Sequence, residues 1–302
     1  MKKIILLVSC VVIISCSRQG LIEPSTFEVG ITAESETTRT ALNNLTLSWV
    51  SGDAVGVMVD GIQGNTQFSK SGDKTFKGTF QITGIQKDNV GYYAYYPYSS
   101  TVSGTVVSAT LANSQTAPFD SKNDTMVADV LNLPYNESSM PAIAFSFGNH
   151  MNAIVKINIT NSKEEYAEEK VSKVVLQSAG STMAGAYTFD VSEGAGCSPL
   201  FSGTKYDNVT VKYPSTASQP SLTVGCNIVM YAIVKSGDYN DLKLTIYSTN
   251  YSGGRTAKSS VNFERGKVTG LPAIDFGALM TDATATIDDL SGYDYPESNF
   301  WK

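Results

Sequence analysis

The chain holds a single histidine, His150, in 302 residues. That count excludes a multi-histidine metal cluster and the two-histidine helix of a zinc protease. Cysteine is almost as scarce. Two of the four, Cys10 and Cys16, lie in the first sixteen residues, which leaves Cys197 and Cys226 beyond them. Two thiols are too few for an all-cysteine structural zinc site. Charged residues make up only 17%, and 22 Lys and Arg face 28 Asp and Glu. Nucleic-acid binding needs clustered basic side chains, so a net charge of −6 argues against that partner. No G-x-S-x-G supplies a nucleophile elbow. A lone histidine without a nucleophile, an orienting acid and an oxyanion site does not make an enzyme. No enzymatic activity, cofactor or metal is expected. No segment sustains a helical period over twelve residues. The opening apolar run, residues 4–14, is interrupted by Ser9 and Cys10. It is too short for a membrane span, which needs about 18 apolar residues.

That short run reads instead as the core of an export signal. Lys2 and Lys3 precede it, and it ends in Ile13-Ile14-Ser15-Cys16. A small residue before cysteine, with aliphatics before that, resembles a bacterial lipobox. The resemblance implies cleavage before Cys16, lipidation of its thiol and retention on a membrane. Residues 1–15 are therefore read as a lipoprotein signal peptide and residues 16–25 as a polar linker.

Beyond the linker the sequence alternates. Phe27, Val29, Ile31 and Ala33 fall on one face of a half-buried strand, and Glu28, Gly30 and Thr32 on the other. Short strand candidates then follow one another, separated by turns such as Gly52-Asp53 and Asp60-Gly61. The chain is expected to be all-β. Two β-sandwich domains, residues 26–148 and 149–278, fit the length, followed by a C-terminal tail at 279–302. The aromatic run Tyr92-Tyr93-Ala94-Tyr95-Tyr96-Pro97-Tyr98 should turn half its rings inward and half outward, as a core face and a cross-strand ladder; stacking of sugars on the rings is the other reading. The charge-dense residues 161–170 read as a solvated loop or short surface helix. Close aspartates (Asp120 with Asp124, Asp238 with Asp241, Asp288 with Asp289) read as turn formers. Export permits a disulfide between Cys197 and Cys226; two free thiols are the open alternative.

Several pieces in order carry a resemblance. Thr38-Arg39-Thr40 is followed by Trp49 and by Gly52-Asp53-Ala54-Val55-Gly56-Val57. The aromatic run of residues 92–98 comes next. Then Phe145, Phe147, His150, Ala153 and Ile157 lead to Gly266-Lys267-Val268 and Leu271. Together they resemble the Bacteroidetes-type fimbrillins, the type V pilus subunits and related lipoproteins. The resemblance implies two tandem transthyretin-like (Greek-key) β-sandwiches, with His150 a structural residue at their junction. It also implies a structural subunit of a cell-surface fimbrium, anchored in the outer membrane by its lipid. The partners would be other pilus subunits, in a homo- or hetero-polymer formed by β-strand exchange and supporting adhesion to a host glycan or protein ligand. In that scheme Phe27, Val29 and Ile31 form a removable strand that closes a sheet edge. Arg39 is then the proteolytic maturation site. Ala283, Ala285 and Ile287 form a donor strand, although Asp288-Asp289 beside them would be costly in an apolar groove. Asp124-Thr125-Met126 resembles an O-glycosylation acceptor of these bacteria. A non-polymerising surface lipoprotein that binds glycans, and a secreted hydrolase, are the other readings.

The lipobox gives a first test. Cys16→Ala should move the protein from the membrane fraction to the periplasm or medium, and unchanged fractionation would rule out lipidation at this residue.

Overall fold

The computed structural model describes residues 25–31, 41–43, 46–80, 86–136 and 143–281, with the backbone alone for 25–31, 41–43, 46–48 and 281. Among these residues nearly all regular structure is strand. The single α-helix, Phe276–Thr281, has six residues.

A nine-stranded sheet organises the first half. Its order is Ile143–Phe145, Ser25–Ile31, Thr75–Phe80, Gln63–Lys70, Ala54–Val59, Gln86–Tyr96, Met126–Ala128 and Phe147–His150. Leu131–Asn136 also pairs with Gln86–Tyr96. The two end strands are consecutive in the chain, with only Ser146 between them. One run of backbone therefore stands at both ends of the sheet, and the sheet curls round on itself. Inside lie Trp49, Val57, Phe68, Phe76, Phe80 and Phe147, all buried. The alternating valines of Ala54–Val59 explain why this segment is a strand, since its period of two puts Val55, Val57 and Val59 on the core face.

The second half is built of smaller sheets. One has five strands, running from Ser114–Thr116 through Asn208–Lys212, Lys173–Gln177 and Lys243–Tyr247 to Ser252–Thr256. Another pairs Ala153–Thr160 with Ile228–Val234 and, in parallel, with Val268–Gly270. A third orders Leu200–Tyr206, Ala184–Asp190, Val106–Leu111 and Val102–Ser103. These sheets enclose a second, larger core that includes Val155, Ile157, Val174, Leu244 and Ile246.

Two of these sheets contain strands from before residue 148. Val106–Leu111 pairs with Ala184–Asp190, and Ser114–Thr116 pairs with Asn208–Lys212. The stretch after the aromatic strand thus leaves the first body, adds strands to the second and returns. A simple cut near Gly148 does not keep everything before it in one body. The buried Gln115 fastens this excursion. Its side-chain amide donates to Ile233 O at 2.7 Å and accepts from Ile233 N at 2.9 Å, as the peptide of a neighbouring strand would. Tyr231 N donates to Pro118 O at 2.8 Å.

The excursion also changes the aromatic strand. Tyr92, Ala94 and Tyr96 face the first core, as alternation requires. Tyr93 and Tyr95 do not face solvent; they belong to the second core. Tyr95 packs edge-on against Phe189 at 5.9 Å, and its hydroxyl donates to Ser99 O. Both sides of this strand are covered, so it offers no outward ladder of rings to a sugar. The charged stretch 161–170 is likewise less exposed than its composition implies. Tyr166 is buried between Tyr251 and Phe276. Glu169 is buried and accepts from Ser248 Oγ, Asn250 N and Asn250 Nδ2. Burial alone would raise its carboxyl, but these donors outweigh burial and hold it below the usual range.

Cys197 and Cys226 are both free, which corrects the disulfide the sequence permitted. Cys197 sits buried beside Met151, with sulfur to sulfur 4.0 Å. Cys226 sits beside Asn161, whose carbonyl accepts from Gly225 N. Met151 and Asn161 flank opposite ends of the Ala153–Thr160 strand. Eight extended residues span roughly 26 Å, far beyond the roughly 6 Å that a disulfide tolerates between Cα atoms. Burial, and then the nearby Glu193, pushes the Cys197 thiol up to about 11, so it is also a poor nucleophile. Alkylation followed by mass spectrometry should find both cysteines modified in unreduced, denatured protein and Cys197 protected in folded protein. A mass two hydrogens short, with neither residue alkylated, would contradict this arrangement.

Candidate functional site

The first strand is the feature that composition alone could not evaluate. Ser25–Ile31 does not lie at a sheet edge, as the sequence suggested; it lies between two strands. On one side it pairs antiparallel with Thr75–Phe80 over six positions, from Ser25 opposite Phe80 to Gly30 opposite Thr75. On the other it pairs in parallel with Ile143–Phe145, through Val29, Gly30 and Ile31. The register is orderly. Val29 stands opposite Phe76 and Ile143, and Ile31 opposite Phe145, all three partners being buried. Phe27 stands opposite Gly78, where an added Cβ would collide with the ring of Phe68. On the alternate positions Thr26 and Glu28 stand opposite the exposed Thr79 and Lys77.

This strand bridges the end of the sheet that the Ile143–Phe145 strand forms. Without it, Thr75–Phe80 and Ile143–Phe145 would face each other across a gap one strand wide. Their backbone groups would lose their partners, and the aromatic core behind them would meet water. Buried or half-buried peptide groups without partners are expensive, and an unpaired edge is a template for another strand. Of the other residues singled out from the sequence, Cys16, Arg39, Ala283, Ala285 and Ile287 lie outside the described residues.

Several of the remaining motif residues gather at a buried hub. Trp49 meets Phe76 and Tyr96 edge-on at 5.2 Å each, and Phe147 at 5.8 Å. Asp53, in the turn after Trp49, caps that turn through Val50 N at 2.7 Å and accepts from Tyr96 OH at 3.1 Å. Burial, and then the Asp53 carboxylate, pushes the Tyr96 hydroxyl far above its ordinary value. The tryptophan, the Gly-Asp turn and the aromatic strand are thus one packing unit.

His150 sits at the end of the same sheet. Its Nδ1 lies 2.8 Å from Asp124 Oδ1, with both side chains almost wholly buried. The acid that sequence reasoning could not place is therefore Asp124, 26 residues away, which looked like half of a turn-forming pair. Neighbouring groups extend the network. Tyr187 OH donates to Thr125 Oγ1 at 2.7 Å, and Asn152 Nδ2 donates to Asn123 O and Tyr187 OH at 3.4 Å. Asn123 Oδ1 accepts from Ala112 N at 2.8 Å. Residues of the first body, the junction, the excursion and the second body all meet here. Thr125 is buried and its oxygen is engaged, so Asp124-Thr125-Met126 does not present a glycan acceptor in the folded chain.

A couple sealed in this way joins parts of the fold. Removing one partner leaves the other buried without it, which typically costs about 3–5 kcal/mol. His150→Ala and Asp124→Ala should each lower the urea midpoint strongly. Replacing both residues with leucine should lose less than either single change. A His150→Ala protein as stable as the parent would contradict this account.

With this geometry in hand, known proteins provide a comparison. A family model described as fimbrillin-like matches residues 38–271. A candidate cell adhesion protein of Bacteroides ovatus superposes with a TM-score of 0.57 at 14% identity, covering 84% of this chain and 93% of that one. At that identity the likeness speaks for the fold, a fimbrillin-like β-sandwich architecture. A second candidate cell adhesion protein, from Bacteroides uniformis, gives a TM-score of 0.48 at 20% identity, covering 82% and 94%. No curated protein matches the chain.

Proposed function

This chain belongs to the fimbrillin-like family, and from that premise we propose that it is a structural subunit of a cell-surface pilus rather than an enzyme. It is exported as a lipoprotein through Cys16, held at the outer membrane, and joined to other subunits by strand exchange in a fimbrium that supports adhesion. One observation carries the reading most directly: the first strand is held between two others and precedes Arg39 in the chain. A cut after Arg39 separates the lipidated N-terminus and this strand together from the rest of the body.

The physics of the next step is β-augmentation. The cut body keeps a slot lined by Phe76, Phe80, Ile143 and Phe145. A strand from another subunit regains the backbone bonds along Thr75–Phe80. Each apolar side chain that it buries contributes about 1.5–3 kcal/mol. The segment after Thr281 supplies that strand, and Ala283, Ala285 and Ile287 give it one alternating stretch. The polymer is built from copies of this chain or from this chain and related subunits. A host glycan or protein is the adhesion ligand. The buried His150–Asp124 couple has a load-sharing role at the junction and does no chemistry.

Limited trypsin treatment of the purified full-length protein should cut after Arg39 and yield a ladder of higher-mass species on mild gels. Deleting residues 282–302 should abolish the ladder and leave the cleaved body folded by circular dichroism. If the cleaved full-length protein stays monomeric at high concentration, strand exchange is wrong. A surface lipoprotein that binds ligands without polymerising would then be the better account.

A further inference from the structure

The register of the first strand states what any replacement must bring. Positions 25, 27 and 29 stand opposite Phe80, Gly78 and Phe76 on the core side. Position 28 stands opposite Lys77 on the exposed side, where the natural occupant is Glu28. The required pattern is therefore an acidic residue flanked on both sides by large apolar ones. The turn before the strand next to the slot adds the exposed Lys74, beside the exposed Asp73.

The tail contains that pattern once. Ser25-Thr26-Phe27-Glu28-Val29 is matched by Ser291-Gly292-Tyr293-Asp294-Tyr295, with serine, aromatic, acid and large apolar residue in the same places. Resting on the strand-exchange reading above, we propose that residues 291–295 of a neighbouring copy are the strand that takes the first strand's place, and that Lys77 sets its register through Asp294. Tyr293 then stands opposite Gly78, the position that an aromatic residue, Phe27, faces in the intact chain. Tyr295 stands opposite Phe76 and Ile143. Pro296 takes the place of Gly30 and ends the strand, because it has no N–H to give to a ladder. The first core already seats tyrosine hydroxyls, with Tyr92 donating to Pro134 O and Tyr96 to Asp53.

The other alternating stretch fits less well. With Ala283 at position 27, Ala285 at 29 and Ile287 at 31, the exposed Lys77 meets Thr284. Two methyl groups face an aromatic wall shaped around larger side chains, which leaves voids. The next residues in that register are Asp288 and Asp289, and one of the pair points toward the core side.

An exposed cross-strand ion pair contributes little affinity, but a like-charge pair in its place disfavours that register. The test uses full-length protein, maturation at Arg39 by an arginine-specific protease that spares the lysines the variants introduce, and the ladder assay. Asp294→Lys places two lysines opposite each other and should weaken each junction roughly two- to fivefold, a loss that compounds along the ladder. Lys77→Glu combined with Asp294→Lys should restore the ladder, while Thr284→Lys should leave it unchanged. The Asp294→Lys change lies in the tail, so the body's own folding is not at stake. Three outcomes overturn the proposal: Asp294→Lys indistinguishable from the parent, no rescue by Lys77→Glu, or Thr284→Lys alone disrupting the ladder, which assigns the slot to residues 283–287. A parent protein that forms no ladder overturns strand exchange itself, and that failure is visible without any variant.

Discussion

The constraint on which the rest depends is that one run of chain, residues 143–150, stands at both ends of the nine-stranded sheet. It pairs with Met126–Ala128 through its second part and with Ser25–Ile31 through its first. A sheet joined in this way has no free choice of curvature; it must wrap its aromatic face inward. The first strand is the piece that lets the wrap close, since it alone connects the run to Thr75–Phe80. A fold that is complete with an N-terminal strand, and open without it, can change state by a single peptide cleavage.

The second constraint is the way the two cores share a strand. From Val90 to Tyr96 the strand Gln86–Tyr96 sends alternate side chains into different cores. A strand covered on both faces cannot shift by one residue without moving every tyrosine into the wrong core. The excursion of residues 102–116 into the second body, and the polar network around Asp124, His150, Tyr187 and Asn152, add further ties across the same junction. A junction of shared strands and buried bonds allows the two cores less relative motion than a linker would.

Much of this was legible in the sequence, and the reasons are local. Val55, Val57 and Val59 alternate, so the strand Ala54–Val59 and its inward face follow from the period of the pleat. Phe27, Val29 and Ile31 mark a strand in the same way. The motif residues Trp49, Asp53 and Tyr96 carried the family resemblance, but nothing in their order says that the tyrosine hydroxyl reaches the turn carboxylate. Other features left no local mark. Nothing near His150 in the chain names Asp124 as its partner, and nothing in residues 102–116 says that they pair with strands seventy or more residues later. The outward half of the aromatic run looked free for sugars because the body that covers it lies beyond any sequence window.

The sequence by itself determined the class of the chain: an acidic, histidine-poor, strand-forming protein with an alternating first segment. It did so because composition and a period of two are properties of neighbouring residues. The tertiary structure decided where those strands went. It put the first strand between two others instead of at an edge, left Cys197 and Cys226 as free thiols at opposite ends of one strand, buried Thr125, and set Glu28 against Lys77. Each of these depends on pairing between segments far apart in the chain. Such pairing is chosen by the burial of whole faces at once, and no single segment encodes it.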